Sequence, residues 1–373
     1  MLCTTANISP SRKERISQIL AGTVDWRYLL DLAEFHGVAP LIAHNIVANG
    51  LSSQVPQPYL ERLSQIYNGT LYRNVILSNE LTKVLSVFSQ HGIAAIILKG
   101  IILAEQLYGN PGLRTVADMD ILVQPEEVSL ASSLLLEMGY QQSVPKQAWN
   151  HPFHEAPYYK QGQFPFFIEL HWDLDDSKLV TVPKEEIWRR AQLLQLQGGS
   201  TMVLSAEDTL LFLSNNHCKL STHRLKSLGD IAELLKKYDG VLDWDYIIES
   251  ARSWQIEAAV HYSLKRAKDL LGAPVPVSPV RALKPSIWRR WVLDFLVSQE
   301  TFVSPIRSDK LRIETSALVH SLMRKHTHQM LAVLARYRGS GKRAKWLRTA
   351  IWIMLIFGAA VGRNTARFLS GWR

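Results

Sequence analysis

Cysteine is almost missing from these 373 residues: Cys3 and Cys218 are the pair. Two thiols with no motif spacing exclude a disulfide framework and fit a reducing cytoplasm. Long apolar runs are missing too. Residues 350–362 are apolar throughout, yet 13 residues fall short of the ~20 that a spanning helix needs. The opening Met1-Leu2-Cys3-Thr4-Thr5-Ala6-Asn7 lacks a charged start followed by an apolar core, so no signal peptide is expected. Acid is scarce at one end only. Residues 301–373 hold 14 Lys or Arg against 2 Asp or Glu, whereas residues 1–300 hold 28 against 31. The formal charge of +9 therefore comes from the tail. A body this close to neutral argues against an extended nucleic-acid track across it. No internal repeat is evident.

What is present is an ordinary globular balance, 47% hydrophobic and 20% charged, which excludes wholesale disorder. Residues 1–88 read as helical, with Ser9-Pro10 as a helix start and a break at Pro56. Residues 89–204 read as an α+β core. A short apolar strand over 93–98 ends at Lys99-Gly100, and a helix follows over 101–108. Gly109-Asn110-Pro111-Gly112 stops that helix. A second strand covers 118–123. Pro125-Glu126-Glu127 then opens a helix whose first-turn acids suit its dipole. Strands over 154–160 and 164–173 flank Gln161-Gly162-Gln163 as a hairpin. This order gives a small mixed β-sheet with helices on one face. Residues 205–272 return to helical spacing. Pro274, Pro276, Pro279 and Pro285 mark 273–286 as a linker. A basic helical region, 287–373, ends the chain.

Asp118 and Asp120 carry the chemistry. Residues two apart in a strand share a face, so both carboxylates project together. That is costly unless a cation lies between them. Hard divalent ions bind through one or two carboxylates plus substrate phosphates, and a tight glycine turn offers N–H groups to phosphate. A lone Asp-x-Asp usually marks a solvated turn. Here Gly100 lies upstream, Ile121-Leu122-Val123 follows, and Glu169 sits inside a later aromatic strand with His171 on its face. A buried unpaired acid costs several kcal/mol, so Glu169 needs a partner, and a metal is one candidate. Three converging carboxylates suit a two-metal displacement at phosphorus. His171 is equally readable as a core histidine bonded to a carbonyl. Arg114 lies four residues before Asp118, within reach of a phosphate or the carboxylates. His217 and Asp230 read as residues that hold the helical part against the core.

Leu98-Lys99-Gly100, Arg114, Asp118-Met119-Asp120-Ile121-Leu122-Val123, Glu169-Leu170-His171-Trp172 and the block Arg224-Leu225-Lys226-Ser227-Leu228-Gly229-Asp230 together resemble one family. It is the bacterial uncharacterised nucleotidyltransferase family, within the DNA polymerase β-like superfamily, and the resemblance covers roughly 20–270. It implies transfer of an NMP group from an NTP to a hydroxyl acceptor, with Mg²⁺ or Mn²⁺ as cofactor and pyrophosphate released. Asp118, Asp120 and Glu169 are then the catalytic and metal-binding acids. Lys99, Gly100, Arg114 and His171 are the substrate-side residues, with Gly100 in the phosphate turn. One departure stands out. The superfamily usually has Ser or Gly after the turn glycine, whereas this chain has Ile101.

Three functions therefore remain open: a nucleotidyltransferase, a non-catalytic nucleotide-binding regulatory module of the same fold, and a membrane-associated partner protein. The third is motivated by the tail, where Trp346, Trp352 and Trp372 lie among arginines, a composition suited to a membrane interface. A protein partner or an anionic membrane surface would meet this basic region. The expected location is cytoplasmic, with attachment to the inner face of the membrane as its variant.

Overall fold

Short apolar runs separated by glycine turns build one seven-stranded sheet, and longer amphipathic runs cover it. In this computed structural model, residues 2–143, 154–175, 182–196, 199–217 and 224–296 are described. Four helices lead: α1 (Pro10–Leu20), α2 (Trp26–His36), α3 (Ala39–Ala48) and α4 (Gln57–Gln90). Ser9 caps α1 by accepting from the Arg12 N–H, and Asp25 caps α2 through Tyr28. Helix α4 runs 34 residues and buries Leu77, Leu81, Val84 and Phe88 at three- and four-residue steps.

The sheet comprises β1 (Ala95–Ile97), β2 (Met119–Val123), β3 (Gln141–Gln142), β4 (Glu155–Lys160), β5 (Phe166–His171), β6 (Gln192–Leu196) and β7 (Gly199–Val203). Its order is β3-β4-β5-β2-β1-β7-β6. Strand β2 runs antiparallel to β1 and parallel to β5, and β1 runs parallel to β7. Between β1 and β2 lies α5 (Ile101–Gln106), and after β2 comes α6 (Val128–Glu137).

Strand alternation sorts the side chains. Ile97, Ile121, Val123, Ile168 and Leu170 point into a core with α4 and α6. Ile96, Leu98 and Leu122 point the other way, into a core with the C-terminal helices. Those helices are α8 (Ala206–His217), α9 (Leu225–Lys237), α10 (Trp244–Ser253) and α11 (Glu257–Leu271); a short α7 (Lys184–Arg190) precedes β6. Helices therefore cover both faces, not one, because the C-terminal region folds back across the sheet. The second face carries the acids.

Two further departures come from contacts made by the folded chain. The hairpin β6–β7 is poor in strand formers, Gln192-Leu-Leu-Gln-Leu196 against Gly199-Ser-Thr-Met-Val203, and it is held by β7 pairing with β1. The proline-rich stretch 273–286 does not run free as a linker. It contains α12 (Val277–Ala282) and buries Ala273, Val275 and Leu283. His261 Nδ1 lies 2.8 Å from the Val280 carbonyl, and Lys268 donates to Val275 at 3.1 Å. Pro276 serves as the residue before the helix. A last helix, α13, spans Ile287–Leu296. The remaining basic tail and the apolar 350–362 lie outside the described residues. Among the described residues, no helix is long and apolar enough to cross a membrane.

Candidate active site

The parallel register of β2 and β5 sets Asp120 directly opposite Glu169. Asp118 precedes Asp120 by two and His171 follows Glu169 by two, so the strand period turns all four to the face under the C-terminal helices. Lys99 leaves the end of β1 and reaches into this group. Its ammonium lies 2.8 Å from Asp120 Oδ1 and 3.9 Å from both Asp118 Oδ2 and Glu169 Oε2. His171 Nε2 lies 3.3 Å from the same Asp120 oxygen and 3.6 Å from Glu169 Oε2. Gly100 turns the chain at φ +77°, and a Cβ there would stand 3.0 Å from the Asp118 carbonyl. Only glycine takes that conformation without strain.

Charges in this group set one another. Burial pushes the Asp120 carboxyl up, but the Lys99 ammonium and the His171 hydrogen bond outweigh it and hold the acid well below the carboxylate range. Asp118 moves the other way, raised by burial and then by the charge of Asp120. Burial acts to lower Lys99, and the three carboxylates overcome it and raise the amine. His171 follows the same logic. Burial lowers it, while hydrogen bonds to Asp120 and Glu169 lift it to about 9.

A cavity of about 370 Å³ opens over these residues. Its floor is Asp118, Glu169 and His171, and its far wall comes from α8 and the start of α9, with Phe212, Arg224 and Lys226. The Lys226 amine donates to the Thr115 carbonyl at 3.2 Å. Burial, and next the Arg114 guanidinium, bring it down to about 8. The Arg224 guanidinium sits over the Phe35 ring at 5.3 Å. The lining brings Asp118, Glu155 and Glu169 together with Lys99, Arg224 and Lys226, a mixture that suits a metal-bound polyphosphate.

Arg114 does something other than the sequence suggests. It is 4% exposed and forms a two-pronged pair with Asp230 on α9, Nε to Oδ1 at 2.8 Å and Nη2 to Oδ2 at 2.9 Å. Nη1 donates to the Gly100 carbonyl at 3.1 Å, and Tyr108 donates to Asp230 at 2.9 Å. It therefore ties the glycine turn and the loop before β2 to α9, and from there its charge also acts on Asp118. Asp230 plays the holding role expected of it. His217 links α8 to α9 through Ser227 at 2.9 Å.

Asp120, Glu169 and His171 each offer a ligand atom within 4.8 Å of the others. Asp120 is fully buried, and its Oδ2 has no hydrogen-bond partner among the described residues. A cation would satisfy that oxygen, so the donor set fits a divalent metal. Asp118 stands beside this group, at the cleft. Lys99, Gly100, Asp118, Asp120, Glu169 and His171, all expected from the sequence, meet here. Glu155, Arg224 and Lys226 were missed, although the last two lie in a block whose Arg-x-Lys step put two cations at a helix start.

A mixed sheet presenting acids from neighbouring strands beside a glycine turn defines a nucleotidyltransferase-like fold. The chain belongs to the uncharacterised nucleotidyltransferase family, whose sequence pattern matches residues 22–272. Among solved structures it is similar to an antigenic nucleotidyltransferase-like protein from Paracoccidioides brasiliensis. The two share 14% identity at a TM-score of 0.32, over 55% of this chain and 95% of that one. No curated protein matches the chain.

Proposed function

We propose that this chain is a metal-dependent nucleotidyltransferase that moves an NMP group from an NTP to a hydroxyl-bearing acceptor and releases pyrophosphate. The observation that carries the reading is Asp120 facing Glu169 across β2 and β5, with one buried carboxylate oxygen unsatisfied, below a cleft with a cationic wall. Asp118, Asp120 and Glu169 hold Mg²⁺ or Mn²⁺. A divalent ion there supplies polarisation of the α-phosphate and a lower pKa for the acceptor hydroxyl.

The chain's own groups do the rest. Lys99 exchanges its bond to Asp120 for a phosphate oxygen when nucleotide arrives. Lys226 and Arg224 receive the β- and γ-phosphates on the far wall and offset the charge on the leaving pyrophosphate. The Gly100 turn brings backbone close to phosphate where a side chain would block it. Glu169, partly open to the cleft, accepts the proton of the acceptor hydroxyl. The acceptor enters opposite that wall, in line with the leaving pyrophosphate.

Release of pyrophosphate from each NTP, in the presence of small alcohols, sugars or proteins, tests the proposal. Activity is expected with one acceptor class, and Asp120→Asn lowers it by at least ~100-fold, in line with loss of a group acting in the transition state. A second reading, a regulatory module that holds nucleotide without turnover, is favoured by Ile101 in place of a hydroxyl residue. Tight nucleotide binding without pyrophosphate from any acceptor would select it.

A further inference from the structure

His171 is placed by two strand pairings at once. It stands two residues after Glu169 on β5, and the antiparallel register of β4 sets Glu155 directly across from it. Its ring therefore has a carboxylate on each edge. Nε2 faces the Asp120–Glu169 pair at 3.3 and 3.6 Å, and Nδ1 faces Glu155 Oε2 at 3.6 Å. A metal-binding imidazole usually has this disposition, one nitrogen toward the ion and the other toward a carboxylate that fixes tautomer and orientation. Asp120 Oδ1 already meets Lys99 and His171, whereas Oδ2 is buried with no hydrogen-bond partner among the described residues.

We propose that His171 Nε2 is a ligand of the metal centre, held in that role by Glu155, and that the centre therefore takes Mn²⁺ in preference to Mg²⁺. The inference rests on the reading of this site as a metal centre and goes beyond it in naming a nitrogen donor. Mg²⁺ is a hard ion that favours oxygen and gives up its water reluctantly. Imidazole favours first-row transition ions, and affinity rises along that series from Mn²⁺. The carboxylates with substrate phosphate keep the site hard enough for Mn²⁺, and one imidazole tips the balance away from Mg²⁺. Glu155 is a positioning residue, since it reaches the ion only through the ring.

Mn²⁺ is the probe for the test. The full chain is titrated with Mn²⁺ by electron paramagnetic resonance without nucleotide, and Mg²⁺ is measured by competition. Pulsed spectra of the bound Mn²⁺ report imidazole nitrogen directly, with no variant needed. Nitrogen modulation is expected in the wild type and is lost in His171→Gln. That substitution lowers Mn²⁺ affinity by about 10- to 100-fold and Mg²⁺ affinity by no more than about threefold. Glu155→Gln keeps the nitrogen signal and weakens Mn²⁺ about tenfold. Bound Mn²⁺ without nitrogen modulation, or equal weakening of both ions by His171→Gln, overturns the nitrogen ligand and leaves the metal centre standing. If neither ion binds and Asp120→Asn behaves as the wild type, the metal-centre reading falls and this inference falls with it.

Discussion

Lys99 and a divalent ion compete for one carboxylate. The ammonium lies 2.8 Å from Asp120 Oδ1, and opposite charges at such range interact by a few kcal/mol even at a surface-like dielectric. Lys99→Met therefore raises affinity for Mn²⁺ or Mg²⁺ alone by about tenfold or more and lowers affinity for the metal–NTP complex by a similar factor. Calorimetric titration with and without nucleotide checks both signs, and unchanged metal affinity would remove Lys99 from the centre. At this scale the site was partly legible. Asp118, Asp120 and Glu169 could be read because strand alternation converts spacing into a shared face, and Gly100 because only glycine fits the turn. Glu155 could not be read. Its place opposite His171 depends on the β4–β5 register, which no spacing in the chain encodes. Arg114 is legible as a residue of this loop, but its pairing with Asp230, 116 residues away, is not.

Helix α9 joins the fold to the cleft. Its Asp230 receives Arg114 and Tyr108, and its first turn carries Lys226 into the wall. Removing one member of a buried pair leaves an uncompensated charge, so Arg114→Met costs about 3–5 kcal/mol, read as a lower urea midpoint. Arg114→Met combined with Asp230→Leu recovers part of that loss, because the stranded carboxylate is gone. Lys226 gives a pH signature. Its free-state pKa is about 8, below the ordinary lysine value, so above pH 8 the amine is largely neutral. Phosphate beside it favours the charged form and raises the pKa. Nucleotide binding near pH 8.5 therefore takes up a proton, and it does so less as pH falls below 8, where the amine is already charged. Titrations in buffers of different ionisation enthalpy detect the uptake, and Lys226→Met abolishes it. The same linkage makes the free protein more stable as pH rises from about 8 toward the unfolded lysine value, because the unfolded chain binds more protons there. Of the elements, α1, α2, α4 to α6, α8 to α11, β1, β2, β4 and β5 can be anticipated from caps, glycine turns and apolar periodicity. The β6–β7 hairpin cannot, because partners far along the chain stabilise it despite its weak local preference. The stretch 273–286 reads as a linker because composition does not reveal that Ala273, Val275 and Leu283 are buried.

For the molecule as a whole, the decisive event is the return of α8–α11 across the second face of the sheet. That face would otherwise expose Ile96, Leu98 and Leu122, and covering it builds the cleft over the acids. Burial there makes Asp120 deeply unfavourable without a cation and strengthens every charge pair around it. Composition already indicated a neutral body with a basic tail, and the site lies wholly in the body. We propose that Asp118 and Asp120 hold a metal–nucleotide complex in this cleft. Isothermal titration of the full chain and of Asp118→Ala/Asp120→Ala with each NTP in the presence of Mg²⁺ and of Mn²⁺ tests it most directly. Saturable one-site binding of at least one NTP is expected for the wild type, with at least ~100-fold weaker binding by the double variant, about 2.7 kcal/mol or more. Equal binding by the two proteins would contradict it.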